Sequence, residues 1–69
     1  MNESKDLAPF AVSATEAARL LGVSRPKVYE LMNQTGFPSF KLGGRTLISV
    51  DGLRAWVNER AGYSAEVRL

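Results

Sequence analysis

Residues 13–35 (SATEAARLLGVSRPKVYELMNQT) constrain the fold more than any other stretch, because they contain two short helical patterns separated by one glycine. Apolar side chains fall on one face of each pattern: Ala17, Ala18 and Leu21 in the first, and Val28, Leu31 and Met32 in the second. The spacing predicts two short amphipathic helices that share a core.

Capping residues mark the ends of both helices. Ser13 and Glu16 form the S-x-x-E pattern of a capping box, in which Ser13 accepts the Glu16 N–H and the Glu16 carboxylate reaches back. Gly22 supplies a left-handed C-cap, and Ser24 begins the second helix, which we expect to end at Gly36. Two helices joined by so short a turn form a helix-turn-helix, whose second helix can enter a DNA major groove.

The residues around this unit predict a small amount of strand. Phe10 and Val12 indicate a short extended segment that lays both apolar side chains on the core. Residues 40–42 and 46–50 are strand-like, and Gly43-Gly44 between them indicates a tight hairpin turn. This hairpin would be the wing of the fold.

A third helix is predicted after the hairpin. Asp51 caps it, Gly62 ends it, and its apolar face is interpreted as core: Leu53, Trp56 and Val57. The order helix, helix, β-hairpin wing, helix is that of an α+β winged helix-turn-helix. The chain is accordingly divided into a flexible N-terminal tail, the winged helix-turn-helix domain and a C-terminal tail, at residues 1–9, 10–62 and 63–69.

The composition excludes several kinds of chemistry. The 69-residue chain has no cysteine and no histidine, which excludes disulfides, Cys/His zinc sites, thiol nucleophiles and imidazole acid–base catalysis. The longest near-apolar run, residues 7–12, is far shorter than the roughly 18 residues of a membrane helix. We therefore expect a cytoplasmic protein that is not an enzyme, uses no metal or cofactor and binds no membrane.

Positive charge is concentrated in the predicted domain. Residues 13–61 carry seven Lys and Arg against four Asp and Glu, a net +3, whereas residues 1–12 carry a net −1. An excess of this sign mildly favours a polyanionic partner. A mixed solvated surface would explain the same charge, so the charge alone does not decide between the two.

The second helix presents a polar surface on the side away from Val28. Steps of about 100° per residue place these side chains away from the core or on its flanks: Arg25, Pro26, Lys27, Tyr29, Glu30 and Asn33. Arg, Lys, Asn, Glu and aromatic residues are types that read base edges and bind phosphate. The two-helix spacing favours groove contact over an ordinary solvated face.

The first turn of this helix breaks a local rule. Arg25 and Lys27 put positive charge at the positive end of the helix dipole, where an acidic residue would be favoured by about 0.3–1 kcal/mol. Because Pro26 has no N–H, Ser24 should bond the Lys27 N–H instead. Phosphate oxygens beside the turn would remove the electrostatic conflict, which is the kind expected where function overrides stability.

Two residues of this surface have alternative interpretations. Glu30 would repel phosphate, so it is turned to solvent, paired with Lys27 or Asn33, or accepts a hydrogen bond from a cytosine amino group. The solvent and pairing alternatives are slightly favoured. Tyr29 either hydrogen-bonds a phosphate through its hydroxyl or covers the edge of the core, and the sequence does not choose between these.

The hairpin turn carries a second set of candidate residues. Lys41, Gly44 and Arg45 cluster there, with Arg45 at the tip. Glycines let the backbone approach a ligand closely, and an arginine at a tip can reach a minor groove or a phosphate. An ordinary turn with an exposed arginine is the alternative, but a hairpin that directly follows a helix-turn-helix favours the wing.

The order and spacing of three motifs, EAARLLGVSRPKVYELM, FPSFKLGGR and DGLRAWV, resemble the small winged-helix proteins of the excisionase and MerR-like DNA-binding family over residues 12–60. The resemblance implies a recognition helix in the major groove and a wing against the adjacent minor groove or backbone. Residue by residue, it implies DNA contacts for Ser24, Arg25, Lys27 and Tyr29 on the helix and Arg45 on the wing. MerR-type activators continue into a long dimerising helix and an effector domain; this chain ends first, so we expect no small-molecule ligand.

The sequence thus predicts a protein that binds double-stranded DNA at specific sites without catalysis. Its size resembles an excisionase, an architectural factor that bends DNA and steers a site-specific recombinase, with further copies of itself bound at repeated sites. A small transcriptional regulator of a mobile element would use the same surface. A protein-interaction module without DNA contact is the alternative from a different class.

Overall fold

A computed structural model of the protein describes residues 9–63, and places three helices and a three-stranded antiparallel sheet among them. In chain order these are β1 (Ala11–Val12), α1 (Ala14–Leu21), α2 (Arg25–Met32), β2 (Ser39–Leu42), β3 (Arg45–Ser49) and α3 (Val50–Arg60). The sheet has the strand order β1-β3-β2. The predicted α+β winged helix-turn-helix is confirmed. The predicted tails, residues 1–9 and 63–69, lie outside the described residues except for Pro9 and Tyr63.

Helix α1 begins and ends where its capping residues predict. The Glu16 N–H donates to Ser13 Oγ over 3.2 Å, and Gly22 ends the helix in the left-handed conformation, with φ +76°. The other half of the predicted capping box is wrong. The Glu16 carboxylate bonds the Arg19 guanidinium instead of reaching back to the cap. An arginine one turn along the helix offers it several charge-assisted donors at once.

Helix α2 begins as predicted but ends earlier. The Lys27 N–H donates to Ser24 Oγ over 3.3 Å, as Pro26 requires. The last helical residue is Met32, so the expected end at Gly36 is wrong by several residues. The Asn33 and Gln34 N–H groups bond carbonyls three residues back, which tightens the last turn, and Asn and Thr are weak helix formers. Gly36 then turns the chain at φ +95°, and the next side chain, Phe37, is buried.

The hairpin forms at the predicted glycines. Leu42 pairs with Arg45 across a two-residue turn, in which Gly43 has a φ of +65° and Gly44 has no positive φ. A positive φ at the first central residue alone is the pattern of a type II′ turn, which matches the twist of the flanking strands. Each strand begins one residue earlier than the sequence predicts, at Ser39 and Arg45.

Strand β1 joins the hairpin on its other side. Ala11 pairs with Ser49 and Val12 with Ile48, which confirms the extended segment and the burial of Val12. The prediction that Phe10 packs on the core is wrong, because its side chain is 89% exposed. The partner strand has already turned into α3 at this point, so Phe10 contributes its carbonyl, which accepts the Val50 N–H over 2.9 Å.

Helix α3 begins two residues earlier than expected. Ser49, the last residue of β3, is its N-cap and accepts the Gly52 N–H over 2.9 Å. The predicted cap, Asp51, is therefore wrong; it lies in the first turn, where the helix dipole favours its charge. The predicted end is confirmed, since Gly62 adopts φ +75° and the Tyr63 N–H bonds the Asn58 carbonyl over 2.8 Å.

One core joins the sheet to all three helices. Its two largest fully buried side chains are Val28 on α2 and Ile48 on β3. The other buried members are Val12, Ala14, Ala17, Ala18, Leu31, Phe37 and Leu53, with Leu21, Met32, Val50 and Trp56 packed partly buried against them. Trp56 meets the Phe37 ring edge to face at a centroid distance of 5.0 Å, which confirms it as a packing residue. The prediction that Val57 belongs to the core is wrong: it is 37% exposed, because it lines an open groove between α1 and α3.

The loop before the hairpin fixes the start of α3 through a close contact. A Cβ built on Gly52 would lie 2.6 Å from Pro38 Cβ and 3.1 Å from Ser49 Oγ. No side chain fits at that separation without a shift of the loop or the helix. Gly52 therefore allows the rigid Pro38 segment to pack against the first turn of α3.

The Gly52→Ala substitution tests this contact. An alanine inside a helix usually stabilises relative to glycine, by about 0.5–1 kcal/mol. Here we expect the free energy of unfolding to fall by about 1–3 kcal/mol, because the added methyl overpacks the Pro38 contact. Urea denaturation measures the change. Gly44→Ala is the matched control: with open space and no positive φ at Gly44, it should change stability by less than about 0.5 kcal/mol. A Gly52→Ala protein as stable as the wild type would contradict the contact.

Candidate nucleic-acid interface

One face of helix α2 packs on the core, and the opposite face is exposed to solvent. Val28 and Leu31 are buried, whereas the candidate residues on and beside the helix are exposed. The same holds for the candidates in the hairpin. All nine predicted site residues are accessible from solvent: Ser24, Arg25, Lys27, Tyr29, Glu30, Asn33, Lys41, Gly44 and Arg45.

Arg25 is positioned by a residue that sequence reasoning missed. Its Nη1 atom donates to Thr15 Oγ1 on α1 over 3.3 Å. The two residues are ten positions apart, so no helical or strand spacing predicts the contact. The bond places the guanidinium beside the first turns of both α1 and α2.

Glu30 pairs with Lys27. Its Oε1 atom lies 3.2 Å from Lys27 Nζ, which is one of the alternatives that the sequence left open. Both side chains are more than half exposed, so the pair is worth only about 0.2–0.5 kcal/mol. The order Lys before Glu along the helix is also the less favourable one. A phosphate oxygen can therefore replace Glu30 as the partner of Lys27 at little cost.

Tyr29 and Asn33 occupy the outer surface of α2 and its end. Tyr29 is 52% exposed, so about half of its surface is accessible to a ligand. Asn33 is not part of the helix but caps its C-terminus, in a right-handed conformation. It stands two turns from Arg25, and the predicted surface therefore extends over the full length of α2.

The hairpin separates its two cations onto opposite faces. Directly paired residues share a face of a sheet, and successive residues alternate between faces. Lys41 pairs with Thr46 on the side of the buried Ile48, whereas Arg45 pairs with Leu42 on the outer side. A tip that entered a groove would thus present one cation to each wall. Gly43, which the candidate set omits, provides the positive φ of the turn, and Gly44 only open space.

Within residues 13–61, the excess positive charge resides entirely on α2 and the hairpin. On α1, Glu16 and Arg19 cancel, and the hydrogen bond from Arg19 holds the pKa of the Glu16 carboxyl below its usual value. On α3, two cations balance two anions: Asp51, Arg54, Glu59 and Arg60. Four cations and one anion remain, a net +3, and they are all candidate site residues: Arg25, Lys27, Lys41, Arg45 and Glu30.

Two other concave surfaces of the described residues do not include the candidate residues. A mostly apolar groove of about 250 Å³ lies between α1 and α3, lined by Leu20, Leu21, Val50, Leu53, Arg54, Val57 and Asn58. On α3, the Arg60 guanidinium lies 4.9 Å from the centre of the Trp56 ring, next to the Gly36 turn. Within residues 9–63, no group of three acidic side chains is placed to hold a metal ion. No helix there is long and apolar enough to cross a membrane.

Comparison with known proteins agrees with this geometry. The family profile described as a helix-turn-helix domain matches residues 11–61, which comprise β1 through the end of α3. No curated protein and no solved structure matches the chain. The family match confirms the resemblance seen in the sequence motifs and identifies DNA as the partner. The chain belongs to the helix-turn-helix domain family, a small DNA-binding family that includes excisionase-like proteins.

Proposed function

We propose that this protein is an excisionase, a non-catalytic factor that binds specific DNA sites, bends the DNA and steers a site-specific recombinase towards excision. One observation carries the DNA-binding part of the proposal. The whole net +3 charge of residues 13–61 resides on two exposed elements, α2 and the hairpin, which follow each other in the winged fold. Charge placed in this way attracts a polyanion to these two elements.

In this proposal, α2 enters the major groove with its N-terminus first. Ser24 caps that end, and Arg25 and Lys27 place two cations at the first turn. Phosphate oxygens at this position satisfy both the helix dipole and the cations, which oppose each other in the free protein. Tyr29 and Asn33, further along the exposed surface, then face base edges or the backbone of the groove.

The wing contacts the adjacent minor groove. Its narrow tip consists of two glycines without side chains, followed by Arg45 on one face and preceded by Lys41 on the other. Arginine is the side chain most often placed in narrow minor grooves, where the potential is most negative. The wing and α2 together then bind two neighbouring grooves on one side of the duplex.

The small number of cations supports an architectural function in particular. Four Lys and Arg side chains belong to the candidate interface, so a single copy should bind weakly. Several copies bound at repeated sites gain affinity, because once one copy is bound the next binding event occurs at a higher effective concentration. Membership in a family that includes excisionase-like proteins supports the same proposal. A regulator of a mobile element would use the same surface, and only a functional assay separates the two.

An excision assay tests the assignment. The protein and the integrase encoded nearest to its gene are expressed together, with a reporter that is restored by excision of the element. We expect excision to require both proteins, and to fail when the Arg25→Ala variant replaces the wild type. A change in transcription from a nearby promoter, without any effect on excision, would favour the regulator.

A salt series tests the electrostatic part of the interface. If four cations neutralise four phosphates, log K falls with log salt with a slope of at most about 3.6, or about 0.9 per phosphate. The affinity should then drop about a hundredfold between about 50 and 200 mM salt. Fluorescence anisotropy of a labelled duplex measures the slope. A flat response would contradict phosphate contact and favour a protein-interaction module.

Arg25 and Lys27 should differ in what they contribute. Arginine can hold guanine through two parallel hydrogen bonds, whereas lysine is a point charge suited to phosphate. Arg25→Ala should therefore cost about 1–3 kcal/mol on the specific site and much less on scrambled DNA. Lys27→Ala should weaken both duplexes by similar factors, and Arg54→Ala on α3, the matched control, should change neither. An unaltered ratio of specific to scrambled binding in Arg25→Ala would mean that another residue reads the sequence.

Glu30 should restrain non-specific binding, because it competes with phosphate for Lys27. Glu30→Gln removes that competitor, and we expect scrambled DNA to bind about 1.5- to 2.5-fold more tightly, because the exposed pair is worth about 0.2–0.5 kcal/mol. Glu59→Gln makes the same charge change on α3 and should have a much smaller effect. Competition between specific and scrambled duplexes measures both. A changed base preference in Glu30→Gln, with no gain on scrambled DNA, would indicate that the carboxylate reads a cytosine.

A further inference from the structure

Leu42 is a large apolar side chain in an unexpected place. It is 63% exposed at the end of β2, beside the glycines of the hairpin turn. Single exposed leucines are common on protein surfaces and usually need no explanation. This one stands at the tip of the proposed wing, where a polar residue would make the same turn without exposing apolar surface to water.

Leu42 lies beside one cationic side chain and two further apolar side chains on the same face of the hairpin. Leu42 pairs directly with Arg45, so an apolar and a cationic side chain stand next to each other on one face. Phe40, 40% exposed, lies behind Leu42 on the same face, and Leu47 is paired with it. This strip faces away from Ile48, which is fully buried on the opposite side of the sheet. The core of the domain therefore cannot cover it.

We propose that Leu42 is a wedge that enters between two base pairs from the minor groove, while Arg45 beside it contacts the groove. The inference rests on the proposed function, which brings the wing to DNA. Side chains such as Leu and Phe are inserted in this way by proteins that kink DNA, together with cationic residues that bind the minor groove. The Leu42–Arg45 pair provides both groups, and the side-chain-free glycine tip lets the backbone come close.

Two observations select DNA as the occupant of this strip. The strip is continuous with the candidate interface, since Arg45 belongs to both. The charge is complementary too, because Arg45 makes no ion pair with any of residues 9–63 and no acidic residue lies in β2, the turn or β3. The wedge also predicts a sequence preference beneath the wing. Pyrimidine–purine steps unstack most easily, so such a step should lie where Leu42 inserts.

The experiment uses a duplex that the wild-type protein recovers from a pool of random sequences. Dyes at its two ends report bending by energy transfer, and 2-aminopurine placed at successive positions reports unstacking. The variants are Leu42→Ala, which removes the wedge, and Leu42→Met, which keeps a long apolar side chain. Leu20→Ala is the matched control, since Leu20 is a half-exposed leucine on α1, outside the candidate interface. Thermal melting verifies that each variant folds.

We expect the wild type to kink the duplex by about 20–90° and to raise 2-aminopurine fluorescence severalfold at one step. Leu42→Ala should lose most of both signals, whereas Leu42→Met and Leu20→Ala keep them. On the same duplex with two unpaired adenines at that step, which kink it beforehand, Leu42→Ala should bind as tightly as the wild type.

Five results would overturn the wedge. Wild-type binding without unstacking, or equal bending by Leu42→Ala, would remove it and leave the DNA-binding proposal standing. If Leu42→Ala is weakened equally on the straight and the kinked duplex, Leu42 is only a contact. Loss of self-association with unchanged DNA bending would make the strip a protein interface. Failure of the wild type to bind any duplex would overturn the proposed function itself, together with the wedge.

Discussion

The joint burial of Val28 and Ile48 is the constraint on which the rest of the structure depends. Val28 belongs to the helix proposed to enter the major groove, and Ile48 to the strand that carries the wing, so one core cluster sets the position of one element relative to the other. A fully buried aliphatic side chain contributes about 1.5–3 kcal/mol, whereas the exposed Lys27–Glu30 pair contributes at most about 0.5 kcal/mol. Apolar packing therefore holds the interface in shape, and its charges remain free to exchange partners.

Because apolar packing stabilises the domain, the candidate interface can carry cations that are unfavourable at the N-terminus of α2. Arg25 and Lys27 destabilise the N-terminus of α2 slightly, and Thr15 and Glu30 hold them in place without burying them. The charges on α1 and α3 cancel within each helix, so the field of the domain originates from α2 and the hairpin. The hairpin has the same arrangement of a packed face and an open face. Ile48 packs on the core from its inner face, whereas Leu42 and Arg45 lie on its outer face.

Local rules predicted most of the fold, and tertiary contacts explain where they failed. Ser13, Gly22, Ser24 and the Gly43-Gly44 turn act through neighbours within a few residues, so their effects can be predicted from the sequence. The cap of α3 is Ser49 rather than Asp51, because β3 runs directly into the helix, and Phe10 is exposed because its partner strand has ended. For the candidate site, the sequence predicted the exposed surface of α2 and left the partner of Glu30 undecided. It could not predict the Arg25–Thr15 bond, which joins residues ten positions apart. The opposite faces of Lys41 and Arg45 do follow from strand alternation once the turn is placed, although the sequence analysis grouped them as one cluster.

The central claim is that α2 and the hairpin tip form one DNA-binding surface, and amide chemical shifts of isotope-labelled protein test it most directly. The protein is titrated with the duplex that it recovers from a random pool, and every amide is followed by NMR. The account predicts the largest shifts from Ser24 to Tyr29 and from Lys41 to Arg45, with small shifts at the exposed α3 residues Arg54 and Glu59. Large shifts at Leu20, Arg54 and Val57, around the groove between α1 and α3, with α2 and the hairpin unchanged, would contradict it.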